Sequence, residues 1–259
     1  MKKTIGLIGA MPEELQAVVD LIEGVEEIHQ GMRTYYVGHL HGLKVVAVFS
    51  RSGKVAAATT VCNLLMNFKV DEIIFTGVAG GVDRGLNIGD VVIGERLVQH
   101  DVDARPVMAR YEIPLLGETY FHSDPHRRAQ AFAAAEDFLV HTLPSVLKDR
   151  FHIPAPKVVY GDIASGDQFF SAEAEVLNLG QNLPSVKCVE MEGAAVAQVC
   201  FEYGVPFTVI RTISDGANED APTNFMAFIQ EVAALYAHDI IKNLFDRMVA
   251  EVEGERVKD

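Results

Sequence analysis

The sequence is poor in cysteine and in basic residues, and it contains no long apolar segment. Three cysteines in 259 residues, Cys62, Cys188 and Cys200, are too few and too widely spaced for a disulfide framework or a cysteine-based zinc site. We therefore expect buried, reduced thiols. The 22 Lys and Arg residues against 36 Asp and Glu give a net charge of −14, which disfavours binding to nucleic acid or to an anionic membrane surface. No stretch approaches the roughly 18 apolar residues of a membrane span.

What remains is the composition of an ordinary globular protein. Hydrophobic residues make up 49% of the chain and charged residues 22%, which excludes a disordered or collagen-like chain. Because no linker or repeat interrupts the pattern, we predict one domain over residues 1–259, with a polar tail from residue 250. The apolar run after Met1-Lys2-Lys3 ends at Pro12 without a cleavage pattern, so it predicts a first strand rather than a signal peptide, and a cytoplasmic protein.

Short apolar runs alternate with helical patterns along the chain. The strand-like runs are Thr4–Ala10, Thr34–Leu40, Lys44–Ser50, Glu72–Thr76, Val91–Leu97, Lys157–Gly161, Lys187–Glu190 and Phe207–Ile213. Helical spacing covers Glu13–Glu23, Lys54–Phe68, Pro125–Val140, Met191–Tyr203 and Ala221–Val249. The second of these helices is apolar nearly all round, which indicates a buried helix. The alternation predicts an α/β fold in which a mainly parallel, buried sheet is flanked by helices.

Several common catalytic motifs are absent. Gly6-Leu7-Ile8-Gly9 lacks the spacing of a dinucleotide fingerprint, and Gly53-Lys54 lacks the upstream glycine of a P-loop. The G-x-S-x-G elbow of serine hydrolases is also missing. His39 and His41 form an H-x-H pair without a third ligand, so a surface hairpin is the better interpretation. We predict no metal site.

The informative residues are carboxylates that follow predicted strands. Glu14 comes after the first strand, Glu190 and Glu192 lie at the end of another, and Asp215 follows Phe207–Ile213. Because the carboxyl ends of strands meet at the ligand crevice of an open α/β sheet, these groups predict a shared acidic cleft. Any one of them alone is better explained as a helix cap or a solvated residue. A glycine-rich turn over residues 76–81 would let the backbone approach a ligand closely.

Six short segments carry a family resemblance. In chain order they are Gly9-Ala10-Met11-Pro12-Glu13-Glu14, Thr76-Gly77-Val78-Ala79-Gly80-Gly81, Gly89-Asp90-Val91-Val92, Ser165-Gly166-Asp167, Val189-Glu190-Met191-Glu192 and Arg211-Thr212-Ile213-Ser214-Asp215. They resemble the nucleoside phosphorylase and nucleosidase superfamily, and most closely the 5′-methylthioadenosine/S-adenosylhomocysteine nucleosidases. The resemblance implies a single α/β domain with a twisted mixed sheet flanked by helices, usually assembled as a homodimer. It also implies hydrolysis of the N-glycosidic bond of adenosine thioethers, with adenine and a 5-thioribose as products and no cofactor.

The resemblance assigns catalytic roles to two carboxylates. Asp215 matches the acid that protonates adenine N7, which requires a pKa raised by burial, and Ser214 would orient it. Glu14 matches the group that positions and deprotonates the attacking water. Glu192 matches the ligand of the ribose hydroxyls, and its charge favours the developing oxocarbenium-like cation. Met191 would line the sugar.

Further matched positions would hold the base and the 5′ substituent. Phe169 matches the ring that stacks on adenine, and Phe170 would pair the edge of the base through its backbone. Composition alone favours both as core aromatics. Phe225 and Met11 match walls of the 5′-alkylthio pocket, although Phe225 also falls at core spacing on a helix.

Arg211 and three departures from the family pattern leave alternatives open. Arg211 matches a residue near the water, and it could equally be a structural partner of Glu190. Val78 stands where close relatives carry Ser, so one polar contact to the water is missing. Arg51 replaces the first Gly of the family's G-I-G-K pattern and could bind the carboxylate of S-adenosylhomocysteine, bind another anionic tail, or face solvent. The loop Asp103–His122 also departs, in a region that caps the partner's pocket in relatives.

Two other functions compete with hydrolysis of adenosine thioethers. Purine nucleoside phosphorylases carry G-D-P-x-R after the first strand, but this chain has Gly9-Ala10-Met11-Pro12-Glu13, with a carboxylate where phosphate would bind. Futalosine-type or AMP-type nucleosidases would use the same chemistry. A non-catalytic nucleoside-binding protein of the same fold is the alternative from another class. The joint presence of Glu14, Glu192 and Asp215 argues against it, because binding alone needs no acid and no base.

Overall fold

A mixed β-sheet forms the centre of the protein. The computed structural model describes residues 3–151, 153, 155–217 and 221–256, and within these ranges the sheet has ten strands. They are β1 (Thr4–Gly9), β2 (Glu23–Gln30), β3 (Arg33–Leu40), β4 (Leu43–Phe49), β5 (Glu72–Gly81), β6 (Val91–Gln99), β7 (Phe121–His122), β8 (Val158–Ser165), β9 (Val186–Glu190) and β10 (Phe207–Asp215). Strands β1 and β10 are buried along their whole length, as expected for central strands that are covered on both faces.

Helices cover both faces of the sheet. They are α1 (Pro12–Val19), α2 (Lys54–Asn67), α3 (Pro125–Asp137), α4 (Ser145–Arg150), α5 (Glu173–Asn182), α6 (Gly193–Tyr203), α7 (Ala221–Phe228) and α8 (Ala234–Arg256), with π-helical turns at Phe138–Thr142 and Ile229–Ala233. Helices α1, α3 and α8 pack together in one apolar layer, and α2 and α6 pack in the other. No helix in the described ranges is both long enough and apolar enough to cross a membrane.

Five of the strands close into a ring. Strand β5 pairs in parallel with β1 and with β10, and its end pairs antiparallel with β9 at Gly80 and Gly81. Strand β10 pairs with β6, β6 with β8, and β8 with β9, which completes the circuit. Among the described residues, five strand pairings are parallel and five are antiparallel. The predicted α/β fold with a mixed sheet flanked by helices is therefore confirmed. The expectation of a mainly parallel sheet is wrong, because β2, β3 and β4 pair as antiparallel hairpins and β6 and β9 join the ring through antiparallel pairs.

The closed ring brings together the strand ends at which the sequence places carboxylates. Asp215 is the register partner of Gly80, and Gly80 in turn is the partner of Val189. The predicted glycine-rich turn over residues 76–81 is wrong, because this segment is the second half of β5. Small residues there allow three strands to meet at one place, and the carboxylates of β9 and β10 therefore converge.

Three further predictions of secondary structure need correction. The helix predicted over Glu13–Glu23 ends at Val19, and Glu23–Gln30 is a strand that the sequence analysis missed. This strand lies at the edge of the sheet and is exposed at nearly every position, so it has no apolar alternation. Helix α2 is not buried all round, since Val55 is 78% exposed in the single chain. The long C-terminal helix is interrupted by the π-helical turn Ile229–Ala233 and continues beyond the predicted start of the polar tail, to Arg256.

Candidate active site

A cleft opens where β1, β5, β9 and β10 end. Its empty space, counted together with the solvent at its open mouth, is about 580 Å³. Its lining consists of Ala10, Met11, Ser52, Val78, Ala79, Gly80, Gln168, Phe169, Phe170, Val189, Glu190, Met191, Glu192, Ser214, Asp215, Ala217 and Phe225. Nine of the eleven predicted site residues are in this set. The other two, Glu14 and Arg211, are buried residues outside this lining.

Asp215 is held rigidly at the end of β10. Ser214 Oγ donates to its Oδ2 over 2.8 Å, and the backbone N–H of Ala217 donates to its Oδ1 over 2.8 Å. Gly80 leaves the space that this carboxylate occupies, because a Cβ at Gly80 would lie 3.0 Å from Oδ1. Burial raises the pKa of Asp215, and the two hydrogen bonds offset part of that rise. A carboxyl group with a raised pKa can hold a proton for a leaving group.

Glu192 lies between β9 and the start of α6, and its side chain reaches the first turn of α2. The backbone N–H of Gly53 donates to Glu192 Oε1 over 2.8 Å. Burial raises the pKa of Glu192, and the neighbouring charge of Glu190 raises it further. The side chain is 5% exposed and lines the cleft. This contact uses one of its four lone-pair positions, so the carboxylate can still accept hydrogen bonds from a ligand.

Glu14 is buried on the first turn of α1. The backbone N–H of Met11 donates to Glu14 Oε2 over 3.0 Å, which closes the N-terminus of the helix. Burial raises the pKa of Glu14 to about 7, against the opposing effect of the nearby Arg211 charge. The group therefore changes between its two protonation states near neutral pH, as a general base should.

Arg211 pairs with Glu190, which is one of the two interpretations that the sequence left open. Its Nη2 lies 2.7 Å and its Nε 3.2 Å from Glu190 Oε2. The guanidinium is fully buried and stacks on the ring of Phe75, at 4.0 Å from the ring centre. Its place near the catalytic water stays a prediction.

Two phenylalanines after β8 face the cleft in different ways. Phe169 is 45% exposed and meets Phe225 edge to face, with ring centres 5.6 Å apart. Phe170 is buried against the ring of His100, at 5.1 Å between centres. Phe170 is thus a core residue whose backbone lines the cleft, whereas an exposed Phe169 ring is free to stack on a flat ligand.

The wall around the sugar position is largely apolar. Met11, Met191 and Val78 all line the cleft, and Val78 brings no hydroxyl group. Arg51 is not part of the lining. It is exposed and donates to the carbonyl of Met32 over 2.7 Å, which agrees with the solvent-facing interpretation.

Several contacts in the site could not be read from the sequence. The amides of Gly53 and Ala217 act through the backbone, so side-chain type carries no signal for them. Ser165 was part of a family segment without a role, and its Oγ donates to the carboxylate of Glu190. In the described ranges, no three His, Cys, Asp or Glu side chains are arranged to hold a metal ion.

Comparison with known proteins places the chain in a family. The sequence model of the phosphorylase superfamily matches residues 4–246. The 5′-methylthioadenosine/S-adenosylhomocysteine nucleosidase of Listeria monocytogenes serotype 4b is 37% identical over 241 residues, which cover 93% of this chain and 98% of that protein. The chain belongs to the 5′-methylthioadenosine/S-adenosylhomocysteine nucleosidase family of the phosphorylase superfamily. The resemblance carried by the six short segments is confirmed.

Solved structures of this nucleosidase family share the fold. The nucleosidase of Neisseria meningitidis, in complex with methylthio-immucillin-A, is 33% identical and superposes with a TM-score of 0.83 over 94% of this chain and 98% of that chain. The futalosine hydrolase of Helicobacter pylori is 32% identical, with a TM-score of 0.81 over 95% of this chain and 99% of that chain. The same fold is therefore found both in a 5′-methylthioadenosine/S-adenosylhomocysteine nucleosidase and in a futalosine hydrolase. The roles of the individual site residues in this chain stay predictions.

Proposed function

We propose that this protein hydrolyses the N-glycosidic bond of 5′-methylthioadenosine and S-adenosylhomocysteine and releases adenine. The observation that carries this proposal is the charge of the cleft. Glu190, Glu192 and Asp215 line it, and no Lys, Arg or His among the described residues does so. A phosphorylase needs cations to bind phosphate, whereas carboxylates repel phosphate and stabilise a ribosyl cation. Water is therefore the nucleophile that this cleft favours.

The reaction divides between an acid and a base. As the bond between C1′ and N9 breaks, its electron pair goes to adenine, and Asp215 donates a proton to N7. Water attacks C1′ of the ribosyl cation and loses a proton to Glu14. The raised pKa values of both carboxyl groups suit these opposite roles, provided that Asp215 is protonated and Glu14 ionised at the working pH.

The remaining residues bind the substrate. Glu192 accepts hydrogen bonds from the ribose hydroxyls, and Met191 packs on the sugar. The Phe169 ring stacks on adenine, and the backbone of Phe170 pairs its edge. Phe225, with Met11, forms the wall that faces the 5′ sulfur substituent. Apolar lining at this end of the cleft supports an alkylthio group as the substituent.

The product assay separates the candidate functions. We expect the protein to release free adenine from 5′-methylthioadenosine in a phosphate-free buffer, at a rate that added phosphate does not raise. A chromatographic assay of adenine and of the sugar product measures this directly. Adenine release that requires phosphate would make the protein a phosphorylase. Release of base from futalosine alone would assign it to the futalosine-type nucleosidases, and no release from either compound would favour a binding protein.

We propose that the protein works as a homodimer through the face formed by α2 and α6. These helices pack side by side, and apolar side chains on them are exposed in the single chain: Val55 78%, Met66 51%, Phe201 47% and Tyr203 50%. Such a patch favours association with another protein surface. The half-exposed ring of Phe169 leaves room for a partner to cover the cleft.

Light scattering tests this assembly. The wild-type protein should run at about twice 28.3 kDa. Val55→Asp, which places a charge on the exposed face, should shift the population to the monomer. Val146→Asp, at a position 68% exposed on α4 outside this face, is the matched control and should leave the mass unchanged. A monomeric wild-type protein would contradict the proposal.

We also propose a cytoplasmic location. The thiols of Cys62, Cys188 and Cys200 are all free, and two of them are buried. Free thiols persist in reducing compartments.

A further inference from the structure

Three carboxylates and one guanidinium are buried together beside the cleft. Glu14, Glu190 and Glu192 are 1%, 7% and 5% exposed, and Arg211 is 0% exposed. One cation cannot neutralise three anions, so its position decides which carboxylates keep their negative charge. The structure shows that this position is set by Glu190.

Glu190 accepts hydrogen bonds from every side. The backbone N–H of Gly193 lies 2.9 and 2.8 Å from its two oxygens, and that of Glu192 lies 3.1 Å from Oε2. Ser165 Oγ donates to Oε1, and Arg211 donates twice to Oε2. Backbone amides, a hydroxyl and a guanidinium together fix the position of this carboxylate beside Arg211.

The same contacts fix the orientation of Arg211. Its Nη1 donates to the carbonyl of Ile210 over 3.0 Å, and its Nε and Nη2 point to Glu190. Gly77 leaves room for this orientation, because a Cβ there would lie 3.2 Å from Nη1. The guanidinium is fully buried and is not part of the cleft lining.

A positive charge left without its partner would oppose the reaction. The thioether nucleoside methylthioadenosine is neutral, whereas the ribosyl group gains positive charge as its bond to adenine breaks. An uncompensated guanidinium in a low-dielectric site would repel that charge in the transition state and leave the neutral ground state nearly unaffected. Its effect would fall on kcat rather than on KM.

We propose that Glu190 is a positioning residue for glycosidic-bond cleavage, which holds and neutralises Arg211 so that Glu14 and Glu192 act on the ribosyl cation unopposed. This inference rests on the proposed hydrolase function. Glu190 acts through Arg211 and does not act as acid or base. Its carboxylate is instead a fixed counter-charge.

The charged neighbours of Glu190 determine how replacing this residue changes the pH dependence of kcat/KM. Arg211 faces it from β10, Glu192 from the start of α6, His100 from the turn after β6 and the Cys188 thiol from β9. Arg211 also interacts with the charge of Glu14 on α1. Removing the Glu190 charge takes away a repulsion that raises the pKa of Glu192. It also leaves the Arg211 charge to lower the pKa of both Glu14 and Glu192. Both changes lower the pKa of the carboxyl group concerned.

The test is Glu190→Gln in the full-length protein, assayed with methylthioadenosine. We expect kcat to fall by about tenfold to a hundredfold, with KM changed by less than about threefold. The acid limb of the kcat/KM profile should move to lower pH by about one unit. Adenine, which is neutral, should bind as in the wild type, and a pyrrolidine analogue of the substrate with a protonated ring nitrogen should bind more weakly.

Two variants control for structure. Glu26→Gln removes one negative charge from an exposed position on β2, so kcat and the pH profile should stay near wild type. Glu190→Asp keeps the negative charge and should keep the wild-type pH profile. A shifted pH profile in Glu190→Asp would overturn the proposal, and this variant provides the test by itself if Glu190→Gln does not fold. Equal losses in Glu190→Gln and Glu26→Gln, or a wild-type kcat in Glu190→Gln, would overturn it too. If the wild-type protein releases no adenine, the proposed function fails instead.

Discussion

Asp215→Asn is expected to lower kcat for adenine release by about 10²–10⁴-fold, the usual contribution of a general acid. The amide can keep the contacts with Ser214 Oγ and the Ala217 N–H, both at 2.8 Å in the wild type. It cannot give a proton to N7. Adenine should therefore bind almost as well as before, because the geometry of the cleft is retained and only the transfer step is lost.

Steady-state kinetics and adenine titration by calorimetry measure the two expectations separately. Asp20→Asn, an exposed position at the end of α1, is the matched control and should leave both unchanged. Near-normal turnover in Asp215→Asn would remove this residue as the acid. Loss of adenine binding together with turnover would point instead to a collapsed cleft.

Glu14→Gln is expected to lower kcat by about 10²–10⁴-fold, because the attacking water loses its base. In the wild type, the pKa of about 7 for Glu14 means that the base is ionised above pH 7 and protonated below it. The kcat/KM profile of the wild type should therefore fall on the acid side with a midpoint near pH 7. Residual activity of the Gln variant should lack the part of this limb that Glu14 contributes, whereas Glu192, whose pKa burial raises to about 8, still titrates.

The same residue predicts a change in stability. The pKa of Glu14 rises from 4.5 in the unfolded chain to about 7 in the folded one, so the folded state binds the proton more tightly. Its contribution to the free energy of unfolding is full below pH 4.5 and is lost as the pH rises through 7. Between pH 5 and pH 8 the wild type should lose roughly 2–3 kcal/mol more than Glu14→Gln.

Urea unfolding at the two pH values measures this difference. Glu13→Gln removes a neighbouring carboxylate that is exposed, and it is the control for the loss of one negative charge on α1. It should keep the activity and most of the pH dependence of stability. Identical pH slopes for wild type and Glu14→Gln would show that Glu14 is not a buried titrating group.

The sequence predicted the part of the site that depends on side-chain type and order. Carboxylates at the ends of strands predicted a shared acidic cleft, and Glu190, Glu192 and Asp215 line it. The alternation of apolar runs and helices predicted the α/β class. These inferences succeed because a buried central strand needs a continuous apolar run, and its carboxyl end needs none.

Other features depend on distant parts of the chain and left no local signal. Strand β2 is an exposed edge strand, so apolar periodicity could not reveal it. The pairing of Arg211 with Glu190 joins residues 21 positions apart through the contact between β9, β5 and β10. The amide of Gly53 reaches Glu192 across 139 positions. Such contacts are set by topology, which a single sequence does not specify.

The closed ring of β5, β10, β6, β8 and β9 limits which parts of the cleft can move when a ligand enters or leaves. Separating one pair of strands does not open a ring, because each strand is still held on its other side. We therefore expect the ends of β5, β9 and β10, which carry Asp215 and Glu190, to move least when a ligand binds. The segment with Phe169 and the helix with Phe225 lie outside the ring, and we expect them to move when substrate enters and adenine leaves. The strand ends that hold the carboxylates and the segments expected to move during ligand exchange thus belong to different parts of the chain.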